Sequence, residues 1–367
     1  MKIMHVVGAR PNFMKVSPII REMAEHQEIE QTLVHTGQHY DEKMSQIFFD
    51  ELGMCKPDID LEVGSGSHAQ QTARIMSAFE PVLLQDRPDL LIVPGDVNST
   101  LACSLTASKL HIPIAHLEAG LRSFDRTMPE EINRLMTDVL SDILLTTSPE
   151  AEDNLVNEGI ARKKIFFVGN TMIDTLLRLK KQAMTSDVLR RCGIPDGVYA
   201  LVTLHRPSNV DDETVFRGIM NALKEIGEDI PIIFPVHPRT RGHIAKLGFH
   251  TSNTTDEKGI HLLQPVGYLD FMQLMMHAAI VMTDSGGIQE ETSILNIPCI
   301  TIRENTERPI TVSKGTNQLV GTKPQRIITA AQKILKQAPP KNTQIDLWDG
   351  KAAGRIVSVI LRWFRAL

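Results

Sequence analysis

Cysteine is scarce in this sequence: Cys55, Cys103, Cys192 and Cys299 lie far apart and form no C-x-x-C pair. That spacing excludes a disulfide framework or a zinc ribbon and marks the four as reduced packing residues. No run approaches the roughly 18 apolar residues that span a bilayer. The opening Met1–Gly8 carries too short an apolar stretch for a signal peptide and passes straight into a strand. A cytoplasmic protein with no membrane contact is expected. Low-complexity tracts and internal repeats are also missing. Against 39 Lys and Arg stand 44 Asp and Glu, a net charge of -5 with no basic stripe, which argues against a nucleic-acid partner.

What remains is the composition of a soluble globular enzyme, 42% hydrophobic and 23% charged. At 367 residues the chain exceeds one ordinary core and predicts two domains. Short β-branched runs alternate with helical patterns twice over. The first set of strands is expected at 3–7, 32–36, 90–93, 113–117, 143–146 and 165–168, with helices at 17–25, 69–85 and 130–140 between them. The second set is expected at 199–204, 232–236, 260–263, 280–283 and 299–302. Apolar strands joined by helices mean parallel sheets covered on both faces. The fold class is therefore α/β, with two doubly wound Rossmann-like domains facing a cleft. The boundary is expected near Gly169-Asn170-Thr171, giving domains 1–170 and 171–351, and the polar stretch 180–196 reads as the entry into the second. A helical stripe at 352–367 is expected to pack back on the first domain.

In doubly wound sheets ligands bind beyond the carboxyl ends of the strands. The most informative such end is Asp284-Ser-Gly-Gly-Ile-Gln-Glu-Glu291, a Gly-rich turn between the apolar 278–282 and a helix. Free N–H groups and a helix dipole at Ser285, Gly286 and Gly287 suit a phosphate; an ordinary Ser-capped loop is the alternative. Glu291, about two helical turns further on, is placed to accept hydrogen bonds from a ribose diol. After the first strand, Arg10 and Lys15 offer a planar fork and a point charge for phosphate oxygens. Asp96 follows the 90–93 strand, as a site residue or a helix cap. Glu118 ends the next strand in His116-Leu-Glu-Ala-Gly-Leu-Arg122, and Pro129-Glu130-Glu131 opens a helix. Glu131 reads as helix-start chemistry, Glu130 as a site residue. Asp96, Glu118 and Glu130 are thus expected to converge opposite the phosphate turn for acid–base work. His205-Arg206, His237-Pro238-Arg239 and Arg303–Pro309 add a proton donor and cations from the second half.

These segments resemble those of the non-hydrolysing UDP-N-acetylglucosamine 2-epimerases over nearly the whole chain. The shared motifs, in order, are G-A-R-P (8–11), P-G-D (94–96), H-L-E-A-G-L-R (116–122), P-E-E-I-N-R (129–134), G-N-T-x-I-D (169–174), T-L-H-R (203–206), P-V-H-P (235–238), D-S-G-G-I-Q-E-E (284–291) and T-E-R-P (306–309). The resemblance implies a glycosyltransferase-B-like fold, a homodimer, a UDP-sugar substrate, and no cofactor or metal. Carried over by motif, Arg10, Lys15, Asp96, Glu118, Glu130 and His205 form the catalytic set. Phe271, Ser285, Gly286, Gly287, Glu291 and Arg308 join Arg10, Lys15 and His205 in binding UDP. The implied reaction removes the C2 proton as UDP leaves C1, then re-adds UDP to the glycal with protonation on the other face. Gly8-Ala9-Arg10 is not G-x-G-x-x-G, so no nicotinamide is expected.

Two departures matter. Pro207-Ser208-Asn209 follows His205-Arg206 where many relatives are acidic, and Gln38-His39 lacks an evident basic partner around 65–71, so substrate activation is not carried over. The alternatives are a hydrolysing relative that releases N-acetylmannosamine, a 2-epimerase for diacetamido uronic acid UDP-sugars, a glycosyltransferase and a non-catalytic sugar-nucleotide sensor. A transferase would leave the UDP-sugar intact or slowly hydrolysed without acceptor, whereas an epimerase equilibrates it alone. The Gln289-Glu290-Glu291 and Thr306-Glu307-Arg308 forms look more like the N-acetylglucosamine enzymes.

Overall fold

A computed structural model describes residues 1–37, 51, 53–54, 56–194, 199–236, 238–247, 259–337 and 343–366, with the side chains of Arg10, Pro238 and Arg239 outside that description. The chain divides into two compact units, Met1–Arg178 with Asp346–Leu367, and Leu179–Ile345. Both are α/β and each holds one all-parallel sheet.

In the first unit the strands are β1 Lys2–Val7, β2 Glu30–His35, β3 Ile59–Asp60, β4 Leu90–Pro94, β5 Ile114–Ala119, β6 Ile143–Thr146 and β7 Ile165–Phe167, in the order β3-β2-β1-β4-β5-β6-β7. Every residue of β4, β5 and β6 is buried, as expected for strands covered on both faces. One face packs on the helices His68–Gln85 and Asn98–Lys109 through Val6, Ile75, Phe79 and Val93. The other packs on the helices Arg10–Met23 and Ala352–Arg365 through Ile3, Ile19, Leu117 and Ile356. Strand order reverses between β1 and β4, which opens a crevice at their carboxyl ends.

The second unit repeats the plan with β8 Ala200–Thr203, β9 Ile232–Pro235, β10 Ile260–Leu263, β11 Ile280–Thr283, β12 Cys299–Thr301 and β13 Asn317–Leu319, in the order β10-β9-β8-β11-β12-β13. Its reversal lies between β8 and β11, just before His205 and Ser285. All eleven expected strands are present. β3 and β13 are additional, short edge strands; β3 extends the backbone ladder from β2, and polar Asn317-Gln318 extends it from β12. The helix expected at 17–25 starts earlier, at Arg10, with Pro11 in its first turn, and tolerates Pro18 inside.

The division between units falls after Arg178, inside the helix Thr171–Ala183, and not at 169–171. The G-N-T-x-I-D segment belongs wholly to the first unit, where it anchors the carboxyl-terminal segment. Asn170 Oδ1 accepts from the Met172 N–H at 2.9 Å. Asp174 accepts from the Ala352 and Ala353 N–H groups at 3.1 and 2.8 Å, and so caps the helix Ala352–Arg365. Trp348 Nε1 donates to the Thr147 carbonyl at 2.8 Å.

Cys103 and Cys299 are buried and Cys192 is half-buried, all three unbridged; Cys55 lies outside the described residues. Burial pushes the Cys299 thiol up to about 12, an inert packing residue. Among the described residues, no helix is long and apolar enough to cross a membrane.

The Asp174 cap can be tested by denaturation. Asp174→Ala is expected to cost about 1–2 kcal/mol of unfolding free energy, and Asp174→Asn, which keeps one of the two acceptor oxygens, less than that. Equal losses in the two variants would remove the cap as the cause.

Candidate active site

At the carboxyl end of the first sheet, Lys15 and Glu118 form a buried ion pair: Lys15 Nζ donates to Glu118 Oε2 at 2.7 Å, and the residues are 7% and 2% exposed. Lys15 comes from the first helix, and Glu118 from a bulge in β5, where the register against β6 slips between Leu117 and Ala119. Glu118 has φ +70°, a left-handed conformation that costs a side-chain-bearing residue about 1–3 kcal/mol. The bulge turns the carboxylate out of the strand's alternation. Gly95, at φ +66°, leaves room for the ammonium, because a Cβ there would meet Lys15 Nζ at 2.9 Å. Asn12 braces the first turn by accepting from the Gly8 and Ala9 N–H groups and donating to the Pro94 carbonyl.

Asp96 and Glu131 are gathered by Arg134, whose guanidinium is almost fully buried. Its Nη1 pairs with Asp96 Oδ2, and its Nη2 donates to Glu131 Oε2 at 2.5 Å. Asn133 Nδ2 donates to the Asp96 carbonyl at 2.8 Å. Glu131 also accepts from the Ser123 and Phe124 N–H groups, both at 2.9 Å, and so clamps the loop after β5. Burial would raise the Glu131 carboxyl, but the Ser123 N–H and Arg134 outweigh it and hold it low. Glu131 is thus a loop anchor as well as a helix-start residue. Its neighbour Glu130 is half-buried in the first turn of the helix Pro129–Leu140. Arg10 opens its helix, and its side chain is not described.

The second unit assembles its groups around Asp284, which is fully buried at the end of β11. Asp284 accepts from the N–H groups of His205 and Arg206 and from Asn209 Nδ2, at 3.0–3.2 Å. His205 Nδ1 lies 2.8 Å from Asp284 Oδ1, while 58% of the His205 side chain stays exposed. Burial works to raise the Asp284 carboxyl, and the His205 ring and these N–H groups reverse it and keep it below the ordinary range. A carboxylate on Nδ1 orients the imidazole and leaves Nε2 as its working atom.

Ser285, Gly286 and Gly287 form the turn into the helix Gly286–Leu295, with Ser285 as N-cap and no side-chain cap bond. Gly286 is required by close approach: a Cβ there would sit 2.4 Å from Arg308 Nη1. Arg308 donates to Glu290 Oε1 at 2.7 Å and to Glu307 Oε1 at 2.5 Å. Glu307 also accepts from Arg303 Nη2 at 2.7 Å. Against the upward push of burial, Arg308, Arg303 and Arg206 hold Glu307 well below the usual carboxylate range.

Among the described residues, no cation pairs with Glu291. Tyr268 O–H donates to its Oε1 at 2.8 Å, and burial, with Glu290 beside it, raises its carboxyl to about 7. Phe271 is half-buried in the first turn of the helix Tyr268–His277. His237, Gln38 and His39 lie outside the described residues. A basic residue does sit by 65–71: Arg74 Nη2 donates to the Ser65 carbonyl at 2.8 Å.

Three anchors escaped the sequence reading as site residues. Arg134, Asp284 and Glu307 stand inside the shared motifs, but their partners Asp96, His205 and Arg206 lie 38, 79 and 101 residues away along the chain. Arg134–Glu131, spaced i,i+3 on a helix, and the pairs of Glu307 with Arg303 and Arg308 are local in the sequence.

The family model described as UDP-N-acetylglucosamine 2-epimerase matches residues 21–361. A Methanocaldococcus jannaschii protein named UDP-N-acetylglucosamine 2-epimerase is 44% identical, over 98% of this chain and 99% of its own. A Pseudomonas aeruginosa protein named UDP-2,3-diacetamido-2,3-dideoxy-D-glucuronate 2-epimerase is 42% identical, over 99% of this chain and 100% of its own. The crystal structure of the M. jannaschii UDP-GlcNAc 2-epimerase in complex with UDP-GlcNAc and UDP superposes with a TM-score of 0.90, at 43% identity, covering 99% of this chain and 100% of that one.

Glu291 generates a pH prediction. Its folded value of about 7 exceeds the ordinary carboxyl value of 4.5, so it contributes stability that is complete below pH 4.5 and lost as pH rises through 7. Glu291→Gln keeps the acceptor for Tyr268 and removes the titration. The variant is expected to gain about 3 kcal/mol relative to wild type between pH 4.5 and 8.5, read by denaturant melts at both ends. A pH-independent difference would place the Glu291 carboxyl at its ordinary value.

Proposed function

The chain belongs to the UDP-N-acetylglucosamine 2-epimerase family, and from that premise we propose that it interconverts UDP-N-acetylglucosamine and UDP-N-acetylmannosamine without net hydrolysis. It is an isomerase that works by elimination and re-addition. One carboxylate takes the C2 proton as the C1–O bond to UDP breaks, leaving a glycal; UDP then adds back to C1 as C2 is protonated on the opposite face. The observation that carries this reading is the buried Lys15–Glu118 pair, with Glu118 held in a left-handed bulge at a strand end. A structural carboxylate has no need of such a conformation, whereas an acid–base group needs a fixed direction.

The remaining roles follow from chemistry. Asp96, held by Arg134, and half-buried Glu130 share C2 proton transfer and stabilisation of positive charge on the ring with Glu118. Arg10, Lys15 and the Ser285–Gly287 N–H groups, at a positive helix end, balance the charge that develops on the departing diphosphate. His205, fixed through Nδ1 by Asp284, donates to that diphosphate from Nε2. Glu291 accepts from the ribose hydroxyls, Phe271 borders the uracil, and Arg308 lines the phosphate turn. No cofactor is used. The carboxylates belong to one unit and the phosphate turn to the other.

A second reading has an observation of its own. The P. aeruginosa relative, at 42% identity, is named for a diacetamido uronate sugar nucleotide, so a 2-epimerase for such sugars is the alternative. Proton NMR of each sugar nucleotide with the purified protein in deuterium oxide separates them. The expected result is a mixed 2-epimer pool of the N-acetylhexosamine compound carrying deuterium at C2. Turnover of only the diacetamido uronate would establish the alternative, and accumulation of free sugar would make the protein a hydrolase. In the same assay Glu118→Gln is expected to lose about 10²–10⁴ in rate while UDP binding persists; turnover within a few-fold of wild type would make Glu118 structural.

The active form is a cytoplasmic homodimer serving polysaccharide biosynthesis. Supporting the dimer, Ile132, Met136 and Val139 form an exposed apolar stripe on the helix Pro129–Leu140, 41%, 46% and 65% exposed. Met136→Glu combined with Val139→Glu is expected to give a monomer in analytical ultracentrifugation; an unchanged mass would remove this stripe from the interface.

A further inference from the structure

A fully buried histidine lies under the first site and has no part in the chemistry above. His116 sits on β5 two residues before Glu118. Its Nδ1 is 2.6 Å from Asp138 Oδ1, and its Nε2 is 2.8 Å from the Gly95 carbonyl oxygen. Both neighbours accept. A carbonyl oxygen has no proton to give. Asp138 uses its other oxygen to accept from the Gly120 N–H at 3.1 Å and from Arg122 Nη2 at 2.7 Å; burial works to raise its carboxyl, but the His116 ring and Arg122 outweigh that and keep it ionised. Each ring nitrogen must therefore donate, and only the imidazolium carries two N–H groups. Arg122 is tied in turn to Glu158 through Nε and Nη2 at 2.8 and 2.6 Å. The result is a chain of alternating charges, His116, Asp138, Arg122 and Glu158.

The backbone points held by this group are those that carry the candidate catalytic carboxylates. The Gly95 carbonyl adjoins Asp96. The Gly120 N–H lies two residues past Glu118, on the far side of the bulge. One imidazolium–carboxylate pair thus ties the Gly95-Asp96 turn to the Glu118–Gly120 turn from beneath. An apolar side chain would fill the same space, and a neutral ring would leave one acceptor unmatched. We propose that His116, as an imidazolium held by Asp138, is a positioning residue for the epimerisation, fixing the two turns that present Asp96 and Glu118. This rests on the reading of Glu118 as a catalytic group, and the experiment keeps the two apart.

His116→Gln and Asp138→Asn are compared with Glu118→Gln for kcat and KM, with active sites counted by UDP binding. A displacement of about 1 Å at a reacting group costs on the order of 10²-fold. Both positioning variants are expected to lose about that much kcat per UDP-binding site, with KM within a few-fold. A merely structural role would instead lower Tm and the number of binding sites while sparing kcat per site, and that outcome overturns the proposal. Inactive Glu118→Gln beside fully active His116→Gln and Asp138→Asn also overturns it and leaves the Glu118 reading standing. Fully active Glu118→Gln overturns that reading, and the proposal with it. The ¹⁵N NMR signals of His116 in the wild-type protein decide even if the variants do not fold. Two imidazolium-type nitrogens, each bearing a proton at neutral pH, support the proposal; a neutral ring sinks it.

Discussion

A charge withdrawn from water has to be answered by an opposite charge or by several hydrogen bonds, and both strand-end regions are arranged around that requirement. Glu118 is answered by Lys15, Glu131 by Arg134 and two N–H groups, Asp138 by His116 and Arg122, and Asp284 by the His205 ring and two backbone N–H groups. Apart from Glu131–Arg134, which lies within one helix, each match joins segments distant in the sequence of its unit. Glu291 is the exception. Its partner is the neutral Tyr268 hydroxyl and its neighbour is another carboxylate, and its carboxyl accordingly lies close to neutrality.

The parallel strands were legible because a strand buried on both faces must be written in apolar residues, and those runs stand out. β3 and β13 were not, since an edge strand of two or three residues is held by ladder hydrogen bonds that any side chain permits. The division between units escaped for a similar reason. The Gly169-Asn170-Thr171 turn looks like a hinge in sequence, yet Asp174, three residues on, is bound to the helix that begins near Ala352.

The strand-end positions of Glu118 and His205 were legible, because the apolar runs before them mark where each buried strand stops. Which of the adjacent Glu130 and Glu131 serves as a structural anchor was only half visible. Pro129 explained Glu131 as helix chemistry, but the clamp on Ser123 and Phe124 depends on a loop that folds back eight residues. The left-handed backbone of Glu118 was invisible. It arises from a register slip against β6, a property of two strands and not of either one.

The discontinuity of the first unit bears on how the protein comes into being. Its sheet is complete by Phe167, but the face that holds Ile3, Ile19 and Leu117 is closed by Ile356, Val357 and Ile360. During synthesis that face stays uncovered while the intervening second unit is made, on the order of ten seconds or more at ordinary elongation rates. The second unit, being continuous, can fold as it emerges. The newborn chain therefore carries a finished domain beside an unfinished one, with an apolar surface open to chaperones or to the same surface on a neighbouring ribosome's product. Emergence of the segment Asp346–Leu367, more than any earlier event, ends that exposure.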